Sequence, residues 1–220
     1  MLKTFLFDEL TPVALYGELK KIFKDEITML FESVVNTSDG NFSFITIGAK
    51  ERIFYKNGAT VYIDENKASH NLNISPFEFL KSYYAKIDKN EYIKKAELAG
   101  FSFTDGFIGF IGYDMVKVFE PVLKESMDNL EDTLNTPDLD LIRPKIIIGF
   151  SHKNSMLTII NNANDNDHDI SKIQNILKQS HTPTSLKKAD LKEGKLGIDE
   201  DRFKQLVDES KEHIRSGDVF

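Results

Sequence analysis

The sequence contains no cysteine, so disulfides, thiolate nucleophiles and Cys-type zinc sites are excluded together. It has no tryptophan either, so the chain carries no indole fluorescence of its own. Long apolar runs are missing. The opening Leu2–Phe7 stretch meets Asp8 and Glu9 too early for a signal peptide. The most apolar later segment, Ile146-Ile147-Ile148-Gly149-Phe150, is far short of a membrane span. No basic stripe is present: the net charge is -7, and the lysines are scattered among Asp and Glu, which argues against a phosphate-binding surface. Internal repeats and low-complexity tracts are absent. These absences point to a cytoplasmic, soluble protein with no nucleic-acid partner and no membrane.

With 40% hydrophobic and 29% charged residues over 220 positions, the chain can bury a sizeable core. Thr11 and Pro12 open a helix over 12–23, with Leu15, Leu19, Ile22 and Phe23 on one face. An apolar run follows over 27–35, broken only by Glu32 and Ser33. Strands are expected over Asn41–Ile47, Arg52–Tyr55 and Thr60–Ile63, with Asn57-Gly58 as a tight turn between the last two. Ser75 and Pro76 start a helix within 73–85. Gly106 to Tyr113 reads as a strand. The acidic stretch 124–137 reads as a loop. Arg143–Ser151 and Ser155–Asn161 form a hairpin candidate through Lys153-Asn154, and Ile170–Leu177 suggests a helix. The composition marks a region over 1–179, a linker over 180–197 and a closing helix over 198–220. That helix has Glu200 and Asp201 in its first turn, Arg215 in its last and Gly217 as its stop. Phe203, Leu206, Val207 and Ile214 are expected to be its buried face. The ending on Asp218-Val219-Phe220 reads as a cut in a longer chain.

Glycines 106, 109 and 112 have the spacing G-x-x-G-x-x-G within an aromatic strand, not the G-x-G-x-x-G that opens a dinucleotide-binding helix. They predict a strand that another element approaches closely. The histidines, 70, 152, 168, 181 and 213, show no metal-ligand spacing, and no Ser-His-Asp arrangement can be drawn. No catalytic residue and no metal ligand is assigned. Glu32 stands out, because a carboxylate inside Met29-Leu30-Phe31-Glu32-Ser33-Val34-Val35 is costly if buried without a cation. Two readings stay open. Simple alternation would place Glu32 on a solvent face; otherwise it lines a small site and receives an ammonium group.

Several segments in order resemble the large subunit (component I) of anthranilate synthase, within the chorismate-utilising enzyme family. Thr11-Pro12-Val13-Ala14-Leu15-Tyr16 resembles the family's opening helix, and Leu30-Phe31-Glu32-Ser33 its Leu-Leu-Glu-Ser signature. Asn41-Phe42-Ser43-Phe44-Ile45 is similar to the strand that follows. Gly106 to Asp114 resembles the Gly-Tyr-Asp segment, and Pro137-Asp138-Leu139-Asp140 the next block. Ile214-Arg215-Ser216-Gly217-Asp218-Val219-Phe220 is similar to the Ile-x-x-Gly-Asp-Ile-Phe-Gln motif.

The resemblance implies an α+β fold of antiparallel-rich sheets with flanking helices, the amino-terminal part of the component I fold. It makes 1–179 a regulatory region ahead of an absent catalytic domain. The family, a lyase, makes anthranilate from chorismate for tryptophan biosynthesis, with ammonia from a glutaminase subunit and a magnesium ion. Its chorismate and magnesium residues lie beyond position 220. No cofactor is therefore expected here, and no activity from this half alone. The half contributes feedback inhibition by L-tryptophan. By resemblance Glu32 meets the ligand ammonium, Ser33 hydrogen-bonds a polar group of the ligand, and Leu30, Phe31 and Pro12 shape the indole pocket. A basic residue common in the family is replaced at Asn41 or Phe42. The alternatives are the related aminodeoxychorismate synthase component I of folate synthesis, or a stand-alone, non-catalytic amino-acid-binding or docking module.

Overall fold

Two long strands carry the architecture, and in both of them apolar runs continue across a charged stretch, Lys50-Glu51-Arg52 in one and Arg143-Pro144-Lys145 in the other. The computed structural model describes residues 2–7, 9–33, 42–129, 134–163, 167–179 and 197–219. They fall into two units, Met1–His181 and Thr182–Phe220. In the first unit an antiparallel sheet is built from β1 (Leu2–Leu6), β2 (Thr28–Phe31), β3 (Phe42–Lys56), β4 (Ala59–Ile63), β5 (Ser69–Leu72), β6 (Ile108–Ile111), β7 (Leu139–Ser151) and β8 (Met156–Asn161). β3 and β7 pair along their length, from Phe42 opposite Ser151 to Tyr55 opposite Leu139. Between Ala49 and Glu51 the register shifts by one residue, a bulge that bends the strand and increases its twist.

On either side of this bulge the central pair has different neighbours. Towards the start of β3 the order is β2, β3, β7, β8, β1; towards its end it is β5, β4, β3, β7, β6. The first half-sheet is covered on one face by α1 (Pro12–Ile22) and by a carboxy-terminal helix, α6 (Asp167–Leu177). Leu15 and Leu19 there meet Ile45, Ile47, Ile146 and Ile148, along with Ile170 and Ile173. Its other face buries Ile147 and Ile160 against Phe101. The second half-sheet packs Ile53, Leu139 and Leu141 against Met115 and against Phe77 and Leu80 of α2 (Pro76–Tyr84). Short connections complete this unit: α3 (Lys89–Ala99), α4 (Val116–Phe119) and α5 (Lys124–Asp128). The second unit holds α7 (Glu200–Ser216). Among the described residues no helix is long and apolar enough to cross a membrane.

Local chemistry explains the boundaries. The Thr11 side chain accepts from the Ala14 N–H at the start of α1, and Ser75 with Glu78 forms a capping box on α2. Asn57 and Gly58, at φ 51° and 77°, make the tight turn between β3 and β4. Gly109 is where β6 meets β7: a Cβ there would lie 2.1 Å from the Asp140 carbonyl oxygen.

Three expectations need correction, and one helix is additional to them. The strands expected at Asn41–Ile47 and Arg52–Tyr55 are one strand, since Gly48 at φ 69° and the bulge bend the ladder without ending it. The 124–137 loop contains the short helix α5, and 130–133 lie outside the described residues. Helix α3 was not foreseen, because it buries only Ala99 and so lacks an apolar stripe. α7 has the expected stop at Gly217 and is capped by Asp199, but Phe203, Val207 and Ile214 are exposed; among the described residues of its unit there is no second helix or strand for them to pack on. Most of the expected linker, 180–196, lies outside the described residues.

Candidate functional site

β2 and β6 flank a cleft of about 500 Å³, lined by Leu30 and Phe31 from β2, Ile108 and Phe110 from β6, and Tyr16 and Asp140. Pairing of Leu30 with Ile45 and Phe31 with Phe44 fixes the β2 side, and the Tyr16 hydroxyl donates to the Thr28 carbonyl at 3.2 Å. The Gly109 approach draws β6 onto β7. Asp140 is held by Arg52 through two bonds of 2.8 and 2.5 Å, and that bond raises the guanidinium above its usual value. The Arg52 guanidinium also lies 5.2 Å from the Phe54 ring. The result is an apolar concavity whose carboxylate is already neutralised.

The sequence-predicted site residues divide around this cleft. Leu30 and Phe31 are brought together in it. Glu32 and Ser33 follow the end of β2 and are both exposed. Neither belongs to the cleft lining. Pro12 is buried at the first turn of α1, also outside that lining. The strand stops at Phe31, so the Glu32 carboxylate carries no burial cost that a bound ammonium would relieve. Residues 34–41, including Asn41, lie outside the described residues.

A second polar constellation, which the sequence did not announce, sits at the bulge. Glu51 stands directly opposite Arg143 and is 4% exposed. The Arg143 guanidinium donates to Glu51 at 2.6 Å, to the Tyr83 hydroxyl at 2.8 Å, and through Nε and Nη2 to both oxygens of Asp105 at 2.8 Å each. Tyr83 donates to Glu51 at 2.7 Å, and Tyr62 also donates to it. The bond to Asp105 pushes Arg143 up against its own burial. Burial alone would raise Asp105, but the guanidinium outweighs it and holds the carboxyl below the usual range. Both tyrosines are pushed up, first by burial and then by the bond to Glu51. Every donor aimed inward has an acceptor, as in a structural network. Glu51 lies between Lys50 and Arg52, and Arg143 has Asp140 and Lys145 close by, so no local signal sets either residue apart.

Among the described residues no group of three or more His, Asp or Glu could hold a metal ion. Ser43 Oγ lies 2.8 Å from His152 Nε2, a pair without a carboxylate to orient it among the described residues. His70 and His213 pair with Asp64 and Asp218, each at 2.9 Å.

Comparison with known proteins gives this arrangement a context. The family described as chorismate binding enzyme matches residues 31–220. Anthranilate synthase component 1 of Lactococcus lactis is 27% identical over 100% of this chain and 46% of its own length. Aminodeoxychorismate synthase component 1 of Bacillus subtilis is 29% identical over 54% of the chain and 26% of its own. The crystal structure of anthranilate synthase component I from Streptococcus pneumoniae superposes with a TM-score of 0.56 at 22% identity, covering 97% of this chain and 45% of that one. That structure shares the curled antiparallel sheet with flanking helices. The chain spans less than half the length of these relatives.

Proposed function

The chain belongs to the chorismate binding enzyme family, and from that premise we propose that it is the amino-terminal, tryptophan-responsive part of an anthranilate synthase component I. The observation that carries the proposal is the end-to-end match: the Lactococcus lactis anthranilate synthase aligns over 100% of the chain. The match to the Bacillus subtilis aminodeoxychorismate synthase, over 54% of the chain, supports the folate branch as the second reading. The whole subunit would convert chorismate to anthranilate in the cytoplasm, with a glutaminase subunit supplying ammonia. The described residues do not fit the magnesium ion of that reaction, since no group of three or more His, Asp or Glu among them could hold a metal. On this reading the 220 residues alone make no anthranilate.

The feedback site would lie at the β2 end of the cleft, with Leu30 and Phe31 against the indole and Glu32 and Ser33 reaching its amino-acid group. Pro12, buried at the first turn of α1, would act through the placement of that helix. Because Glu32 is exposed in this chain, its part in binding rests on the family resemblance and on further residues closing over it. Control follows as a population shift. Tryptophan binds the less active state more tightly, and by linkage chorismate weakens tryptophan binding by the same factor.

A charge-assisted hydrogen bond contributes about 1.5–3 kcal/mol. In a full-length subunit assayed with chorismate and its glutaminase partner, Glu32→Ala should therefore weaken tryptophan inhibition about tenfold or more. An unchanged inhibition constant would sink the feedback assignment. Formation of aminodeoxychorismate in place of anthranilate would select the second reading.

A further inference from the structure

On the side of the sheet away from α1, a larger cleft of about 670 Å³ opens between α3 and the 103–107 segment. Its volume is in the range of small-molecule sites. The walls are rings: Tyr84, Tyr92, Phe103 and Phe107. Two of them are pinned by hydrogen bonds. Tyr84 Oη accepts from the Phe107 N–H at 2.8 Å, and Tyr92 donates to the Ser102 carbonyl. Gly106, at φ 128°, lets the segment close on Tyr84; a Cβ there would lie 3.1 Å from the tyrosine oxygen.

The floor holds Asp105, Arg143 and Lys95. Asp105 and Arg143 are committed to each other through both carboxylate oxygens, so neither offers its charge to a ligand. Lys95 differs. Its ammonium donates to the Asn162 side-chain oxygen, a neutral acceptor, and the Asn162 amide is fixed in that orientation by donating to the Thr104 carbonyl at 3.1 Å. Among the described residues Lys95 has no carboxylate within salt-bridge distance. Burial lowers its pKa, and the charges of Asp105 and Glu91 offset that only in part, as expected for a half-desolvated cation with no carboxylate in direct contact.

We propose that this cleft is a binding site for a small aromatic carboxylate, its ring between Tyr92 and Phe107 and its carboxylate on Lys95. Nothing in the proposal depends on the feedback site at β2. An aromatic amine fits worse, because the only floor carboxylate is taken and the remaining acids, Asp88 and Glu91, are exposed at the rim.

The test uses matched probes, indole-3-propionate and tryptamine, followed by their own fluorescence in a chain without tryptophan. Saturable binding of the acid is expected, with the amine at least about tenfold weaker. Lys95→Met should weaken the acid by about tenfold or more. Ile93→Glu alters an exposed lining residue, leaves packing intact and should weaken the acid while improving the amine. It decides the matter if Lys95→Met does not fold. Both probes are titrated in a Glu32→Ala background, where the proposed feedback site no longer offers tryptamine a carboxylate. Equal binding of both probes, no saturable binding, or indifference to both cleft variants would each overturn the proposal.

Discussion

Replacing Arg143 with methionine removes the one cation that meets both Glu51 and Asp105 while keeping a side chain of similar length. Glu51 is 4% exposed and would retain only the hydroxyls of Tyr62 and Tyr83. The Asp105 side chain is 21% exposed and would recover some hydration. Breaking a buried pair by removing one partner costs about 3–5 kcal/mol. Partial access of water to Asp105 places the expectation at the low end, about 3 kcal/mol, or a fall in Tm of roughly 6–12 °C for a chain of this size.

Urea unfolding followed by far-UV circular dichroism measures this directly. The double variant Arg143→Met with Asp105→Asn should lose less than the sum of the two singles, by roughly 1–3 kcal/mol, because the partners share one interaction. The pH dependence has a fixed sign. Asp105 is depressed in the folded chain, so its stabilisation is present above the ordinary carboxylate value of 3.8 and is lost as pH falls through the lower folded value. The wild type should therefore approach the variant in strong acid. A loss below about 1 kcal/mol at neutral pH, typical of an exposed ion pair, would refute the reading of this cluster as a structural centre.

Two further outcomes follow from single contacts. Gly109→Ala should destabilise by roughly 1–3 kcal/mol and lower the urea midpoint, because its Cβ would meet backbone, the Asp140 carbonyl at 2.1 Å, which cannot rotate away. Tyr62 and Tyr83 should stay protonated through the ordinary tyrosine range around 10.0 in an alkaline ultraviolet titration and ionise only with unfolding; ionisation of all 7 tyrosines together in the folded chain would contradict their burial.

Features determined within a few residues were legible in the sequence. The Thr11 and Ser75 caps, the Asn57-Gly58 turn, the β7–β8 hairpin and the close approach at the glycines all depend on neighbours in the chain, and all are present. What failed depends on contacts far away. Glu51 and Arg143 are 92 residues apart, and Asp105 and Arg143 are 38 apart, so no local pattern announces their meeting. Helix α3 escaped because it turns little apolar surface inward. Leu30 and Phe31 were singled out by family resemblance, and they line the cleft between β2 and β6; the end of β2 at Phe31 has no local signal, because the apolar run continues past Glu32 and Ser33.

The ion pair at the bulge also bears on how the central pair finds its register. A one-residue slip normally turns a strand's apolar face to water and so is strongly opposed. Here that safeguard is weak: Ile146, Ile147 and Ile148 are all buried, as are Ile45, Thr46 and Ile47 opposite them, so either face of the ladder accepts either set. What a slip would break is the opposition of Glu51 and Arg143, the residue pair beside the level where β3 exchanges β2 for β4 and β7 exchanges β8 for β6. The two half-sheets, and with them both clefts, depend on that exchange occurring at one level. If the apolar ladder alone set the register, the Arg143→Met chain would unfold at lower urea with the wild-type slope. A shallower slope would mark a native state that no longer holds a single pairing.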